Sequence, residues 1–237
     1  MKPVQLQSER QFLAVLESVT RDVQQASFHW QLYRSLRTDV RRYLREFNEA
    51  PAFWSLTMGA HGDAALFRLV RLYEPDGGVS LERLIETIRA NVHVFDVSRF
   101  RERLKENPHV DGLAKEARPP NAAELRRDMR SAVKDERLVA KLLTLRRRVL
   151  AHRDPRVILG TVPDPFSGLT ARQISALLRR ASRIVNRYWR LFNASAHSVR
   201  IMGHDDYRRV LEAMRDRRRT REREFREELR RVTGRRT

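Results

Sequence analysis

"NAAELRRDMRSAVKDERLVAKLLTLRRRVLAHRDP" runs from Asn121 to Pro155, and its spacing decides the fold class. Asn121, followed three residues later by Glu124, forms a capping box in which each side chain takes a backbone N–H that the first turn leaves unsatisfied. Apolar residues then return at helical intervals through Leu138, Leu142, Leu145 and Val149. Proline disfavours helical geometry in the residue before it, so Pro155 should stop the helix near Asp154. The spacing therefore predicts one long helix from Asn121 to about His152. Its last turns carry three arginines, a short apolar step and a histidine.

The same periodicity extends outward in both directions, and no period-2 strand pattern competes with it. Ser8 is placed to cap a long first helix through Phe12, Val15, Leu16, Val19 and Val23. That pattern continues through Trp30, Tyr33, Leu36, Val40 and Leu44 with a break. A second helix is expected from Pro51 to about Tyr73. Ser80 is placed to cap "LERLIETIRANVHVF" and Ser98 to cap "RFRERLKEN". After the Asn121 helix, "RDPRVILGTVPDPFSG" holds three prolines and two glycines and reads as a long loop. Thr170 opens another capping box and a helix to about Ala196, and a last helix starts near Asp205. Short loops between amphipathic helices imply an all-α, antiparallel up-and-down bundle with a long motif helix and an extra C-terminal helix. Residues 1–203 read as the helical domain, and residues 204–237 as a basic, charged C-terminal helix or tail, solvated and frayed at its end.

Composition narrows the function. The chain has 237 residues, 49 Lys and Arg against 30 Asp and Glu, and no cysteine. Disulfides, thiolate metal sites and cysteine nucleophiles are thereby removed. No apolar run reaches bilayer length and the N-terminus lacks a signal-peptide core, so a soluble, cytoplasmic protein without membrane contact is expected. A net charge of +19 favours polyanionic partners such as RNA, although arginine-rich codon usage gives the same surplus. The excess is uneven. Between Arg118 and Arg156 there are 12 cations against 5 acids, and between Asp205 and Thr237 there are 13 against 8. No phosphate loop, dinucleotide turn or His/Asp metal cage is present in the sequence, so no cofactor and no metal are expected. His29, His61, His93, His109, His197 and His204 are scattered without partners at ligand spacing. Asp205 and Asp206 are read as capping and helix-dipole compensation at a helix start.

On a helical wheel with Leu138 at zero, Leu142, Leu145 and Val149 fall at about 40°, −20° and 20°, and His152 at about −40°. Arg146 falls at about 80°, inside an arc widened by Val139, Leu143 and Leu150. Arg147 and Arg148 fall at about 180° and −80°, on the polar flanks. A buried-face guanidinium needs an acceptor. One reading is an ion pair from Arg146 to a carboxylate on a neighbouring helix, with His152 favoured near the helix C-terminus. The other is chemistry: arginine presents a fork of donors to phosphate, and histidine exchanges protons near neutrality.

The segment "LRRRVLAHRDP" resembles the R-x(4–6)-H signature of the HEPN superfamily, and its "R…AHRD" form that of the abortive-infection, AbiU-type branch. "FWSLTMGAHGDAALFRLVRLYEPDGGVSLERLI" (Phe53–Ile85) is similar to that branch's helix ending in "RLYD" followed by "SLxxLI". The resemblance covers roughly Phe12 to Phe192. It implies a bundle that dimerises through its motif helices, and a metal-independent endoribonuclease leaving 2′,3′-cyclic phosphate ends. It also implies a toxin–antitoxin or anti-phage role, with RNA, a second copy and a cognate antitoxin protein as partners. Arg146 and His152 are the expected catalytic pair, with Arg147 as the alternate arginine. Arg148 and Arg153 are expected to contact RNA, and Asp154 to orient the imidazole. HEPN toxins paired with nucleotidyltransferase antitoxins carry a tyrosine two residues after the histidine; Asp154 stands there instead, so that partner is not expected. Members that only bind nucleotides or nucleic acid supply the rival reading, a non-catalytic HEPN-like dimer.

Overall fold

The computed structural model describes residues 2–75, 78–133, 135–146 and 169–234. They form an all-α helical bundle, with no strand among the described residues. In chain order the helices are α1 (Glu9–Asp39), α2 (Leu44–Glu49), α3 (Pro51–Tyr73), α4 (Leu81–Ala90), α5 (Val97–Arg103) and α6 (Val110–Ala114). There follow α7 (Ala122–Ala132), α8 (Arg137–Leu145), α9 (Ala171–Asn193) and α10 (Tyr207–Thr233), and a 3₁₀ turn lies at Val92–Phe95. The chain divides into two compact units: Met1–Phe28 with Ala64–Arg200, and His29–Asp63 with Ile201–Thr237.

Side-chain capping sets half of the described helix starts. The Gln11 N–H donates to Ser8 Oγ (3.3 Å), and the Arg83 N–H to Ser80 Oγ (3.3 Å). Both capping boxes form. Glu124 N–H donates to Asn121 Oδ1 (2.9 Å) and Asn121 N–H to Glu124 Oε2 (3.0 Å). Gln173 N–H and Thr170 N–H reciprocate at 3.2 and 2.9 Å. Proline at the first position of α3 gives up an N–H that a helix start would leave unpaired. Ser98 is not a cap: α5 begins one residue earlier, at Val97, behind Asp96, which makes no side-chain cap bond. The Ser80 helix also ends sooner than its apolar run suggests, at Ala90. Asn91 Nδ2 donates to the Thr87 carbonyl (2.8 Å), and the chain tightens into the 3₁₀ turn. α9 closes at Asn193, where Ala194 takes a left-handed φ of 56°.

The predicted helix from Asn121 to His152 is broken within its described part. Val133 is extended (φ −72°, ψ 155°), and α8 restarts behind Glu136, whose carboxylate accepts the Leu138 and Val139 N–H groups at 2.9 and 3.1 Å. The cause is phase. α7 buries Leu125, Asp128 and Ala132, and α8 buries Val139, Leu142 and Leu145. Continued as one helix, the second set would centre about 70° away from the first, with Leu145 turned furthest from it. The break lets both sets face inward, and Glu136 supplies the cap. The motif beyond Arg146 lies outside the described residues.

In the first unit, Phe12, Phe95 and Phe192 form a ring cluster with centroid separations of 5.1 to 6.0 Å. Polar groups that enter this core find partners, as burial demands. Trp189 Nε1 donates to Thr20 Oγ1 (2.7 Å) and Tyr73 OH to the Leu177 carbonyl (2.9 Å). The buried Asp128 carboxylate accepts Tyr188 OH (2.9 Å) and pairs with Arg187, which ties α7 to α9.

In the second unit, Leu36, Tyr43, Phe47, Trp54 and Leu211 make the core. Two buried carboxylates fix α10 there. Asp39 accepts Tyr207 OH (2.7 Å) and Arg208 Nε (2.6 Å), and Glu46 accepts Arg215 Nε (3.1 Å) and Arg218 Nη2 (2.7 Å). The expected solvated helix is therefore solvated only in part: Tyr207 to Arg218 docks, and the turns beyond are exposed. Asp206 stands at the helix start without a side-chain cap bond, and Asp205 pairs with Arg208 at 3.1 Å. The side-chain cap bond expected of Asp206 is not made, while both acids stand at the helix start, where the helix dipole favours negative charge.

Burial alone would push the Glu46 carboxyl up, but hydrogen bonds from Arg215, the backbone and Arg218 outweigh it and hold it down to about 2. Its folded value lies below its unfolded one, near 4.3. The stabilisation is thus complete above that value and lost as pH falls towards 2. Glu46→Gln should cost about 2 kcal/mol in urea unfolding at neutral pH, given arginine partners that stay partly solvated. The difference from the unsubstituted chain should vanish towards pH 2.

Candidate functional site

Of the six residues expected in the site, the structure describes Arg146. Arg147, Arg148, His152, Arg153 and Asp154 lie outside the described residues. Arg146 closes α8 with helical dihedrals (φ −53°, ψ −54°) and donates its N–H to the Leu142 and Leu143 carbonyls. Val139, Leu142 and Leu145 are fully buried, so the inward arc of α8 centres near 40° on the wheel and includes Arg146 at its edge. The side chain is 39% exposed, and its Nη1 stands 2.6 Å from Glu74 Oε1. Glu74 follows directly on α3, with its N–H bonded to the Val70 carbonyl (2.8 Å), and its own side chain is 13% exposed.

The start of α8 is held by the same chemistry. Glu136, besides capping the helix, receives Arg180 Nη1 at 2.8 Å, and Arg180 also donates to the Ser131 carbonyl (3.0 Å). Burial would raise the Glu136 carboxyl, but the bonds from Arg180 and the Val139 and Leu138 N–H groups hold it low. A nine-residue helix is thus pinned at both ends by an arginine–carboxylate pair, one to α9 and one to the end of α3. The point from which the motif leaves α8 is fixed accordingly.

Chemically, Arg146 is charged at any working pH and has five N–H donors in a planar fork. Glu74 occupies one of its terminal nitrogens. The remaining donors can reach a phosphate oxygen, and a bound phosphate competes with the Glu74 carboxylate for the same cation. Nothing in sequence spacing identified Glu74, because the two residues are 72 positions apart and only the fold brings them together.

Two of the scattered histidines meet in the structure, which sequence spacing did not indicate. His29 on α1 and His61 on α3 approach with Nδ1···Nδ1 at 2.8 Å and ring centroids 5.0 Å apart. One ring must donate and the other accept, so the bond requires at least one neutral imidazole. Burial pushes the His61 imidazole down. Among the described residues no three or more His, Cys, Asp or Glu side chains form a metal-binding group. No described helix is long and apolar enough to cross a membrane.

A family model described as AbiU2, of the HEPN class, matches residues 10–214. That match runs from the first turn of α1 into α10 and includes every expected site residue. No curated protein and no solved structure matches the chain.

Two measurements check this geometry. A double-mutant cycle of Arg146→Gln and Glu74→Gln in chemical denaturation should give a coupling of about 0.5–1 kcal/mol, modest because the arginine is partly solvated. A coupling of zero would mean that the pair contributes nothing. For the histidines, the lowered His61 value means that the unfolded chain takes up the proton first. Stability is complete above about pH 6.5 and falls as pH drops through the folded value. Melting temperature should decline over that window, and His61→Gln should flatten the decline.

Proposed function

The chain belongs to the HEPN-type abortive-infection AbiU2 family, and from that premise we propose that it is a metal-independent endoribonuclease acting as a homodimer in toxin–antitoxin or anti-phage defence. His152 takes the proton of a ribose 2′-hydroxyl, and the 2′-oxygen attacks the adjacent phosphorus. The bond to the 5′-oxygen breaks, and the proton returned by the imidazole completes the 5′-hydroxyl leaving group. The products are a 2′,3′-cyclic phosphate and a 5′-hydroxyl, so atoms and charge balance without a co-reactant. Arg146 neutralises the charge that builds on the phosphorane-like transition state, with Arg147 as the alternate. Arg148 and Arg153 grip the neighbouring phosphates, and Asp154 orients the imidazole. Two motif helices from two chains bring two such pairs into one cleft.

The observation that carries this reading is the placement of Arg146. It sits on the inward arc of α8, anchored by one ion pair, with donors to spare and more than a third of its side chain open to solvent. The same ion pair favours the rival reading, a non-catalytic HEPN-like dimer that binds nucleic acid, because Glu74 already answers the arginine's need for an anion.

Activity separates the two. In EDTA the protein should cut single-stranded RNA, and His152→Ala should slow the cut about 10²- to 10⁴-fold, the usual loss for a general acid–base group. A 2′-deoxy nucleotide at the scissile position should block cleavage. Salt-dependent binding without turnover, more sensitive to Arg147→Ala or Arg148→Ala than to His152→Ala, would establish the rival.

A further inference from the structure

The exposed face of α9 carries a feature that neither the motif nor the family match accounts for. Arg172, Arg179, Arg183 and Arg190 are spaced by seven, four and seven residues, and all four are exposed. At about 100° and 1.5 Å per residue they lie within about 20° of one line and span about 27 Å. The opposite face of α9 is packed into the first unit through Ile174, Leu177, Ala181, Ile184 and Tyr188, so the ridge cannot turn away from solvent. Among the described residues no carboxylate meets any of these four guanidiniums, whereas Arg180 and Arg187, off the line, bond Glu136 and Asp128.

The ridge runs into a cleft of about 1210 Å³ whose walls include Arg183 and Arg190 themselves, with Lys115, Arg118 and Arg187. The cleft has two carboxylates. Glu124 is taken up by Arg118 (2.6 Å) and by the Asn121 N–H, and the arginine bond, working against burial, holds it down to about 2. Glu116 is the other. Cations thus outnumber acids in the cleft by five to two.

We infer that the Arg172–Arg179–Arg183–Arg190 ridge and the cleft at its end form a track for the phosphate backbone of single-stranded nucleic acid, built from residues other than those of the Arg146/His152 motif. Arginine forks match phosphate oxygens, and a straight line of cations that no described carboxylate meets matches a repeating polyanion. An acidic protein is the less suited occupant. Stable protein interfaces need apolar anchors at their centre, and none of the chain's exposed large hydrophobic side chains lies on α9. The choice of RNA as the natural strand rests on the proposed function. The track itself reads phosphate and does not depend on cleavage.

The test uses the full-length protein and a fluorescein-labelled single-stranded DNA, which 2′-hydroxyl chemistry cannot cut, with the matching RNA in parallel. Anisotropy titrations across a salt series compare the unsubstituted chain with Arg172→Gln/Arg179→Gln/Arg183→Gln/Arg190→Gln. A second variant, Arg217→Gln/Arg221→Gln/Arg223→Gln/Arg226→Gln, removes the same charge from exposed turns of α10. Single strands release about 0.7 counterion per phosphate contact, so the ridge variant should lose about 2 to 3 units of salt slope and about 10- to 100-fold in affinity. The α10 variant should lose far less. If the fourfold ridge variant fails to fold by circular dichroism, the two halves, Arg172/Arg179 and Arg183/Arg190, should each lose about half the slope. Equal losses from both faces, or an unchanged slope in the ridge variant, overturn the track. So does polyglutamate that displaces the strand at equal charge concentration. Binding that depends on the ridge while no RNA is cut keeps the track and removes the nuclease. Cleavage with the ridge variant's KM unchanged does the reverse.

Discussion

Arginine meeting carboxylate is the interaction on which this bundle turns, because 49 cations share 30 acids. The buried acids are the ones that organise helices. Asp128 joins α7 to α9, Asp39 and Glu46 dock α10 in its unit, and Asp22 takes Arg68 and Arg71 from α3 at 3.2 and 2.6 Å. Removing either partner of such a pair is costly, because it leaves an uncompensated buried charge. Once those pairs are made, the surplus must be arginine, and it must face solvent or an anion brought from elsewhere.

That division bears on Arg146, the described residue of the proposed site. α8 is short, yet Glu136–Arg180 at its start and Glu74–Arg146 at its end leave it little freedom. Arg146 is therefore placed before any substrate arrives, which is what electrostatic catalysis asks of a charge that must not reorganise during reaction. Its partner carboxylate has two effects: it aims the guanidinium, and it weakens the arginine's hold on phosphate. Which of them prevails separates a nuclease from a binding protein, and geometry gives weight to both.

Much of the fold was legible because its signals are local. Ser8, Ser80, Asn121 and Thr170 cap the helices that their sequences announce, and Pro51 opens α3. The same local logic misplaced Ser98, where Asp96 lies two residues nearer the turn. It also missed the break at Val133, which appears only when the buried faces of α7 and α8 are compared in phase. Long-range partners left no trace in spacing. Glu74, the His29–His61 pair, and the docking of Tyr207, Arg208, Arg215 and Arg218 onto Asp39 and Glu46 all depend on which helices lie side by side. The α9 ridge was present in the sequence as four arginines in register, but it gains meaning only with the opposite face shown to be buried.

Arg146 and His152 are proposed to cut RNA by way of its own 2′-hydroxyl. Mass spectrometry of the ends of a defined single-stranded RNA, incubated in EDTA with the protein and in parallel with His152→Ala, tests it most directly. The account predicts fragments bearing 2′,3′-cyclic phosphate and 5′-hydroxyl ends, abundant with the unsubstituted protein and nearly absent with His152→Ala. Intact RNA, 3′-hydroxyl ends, or equal fragments from both proteins would contradict it.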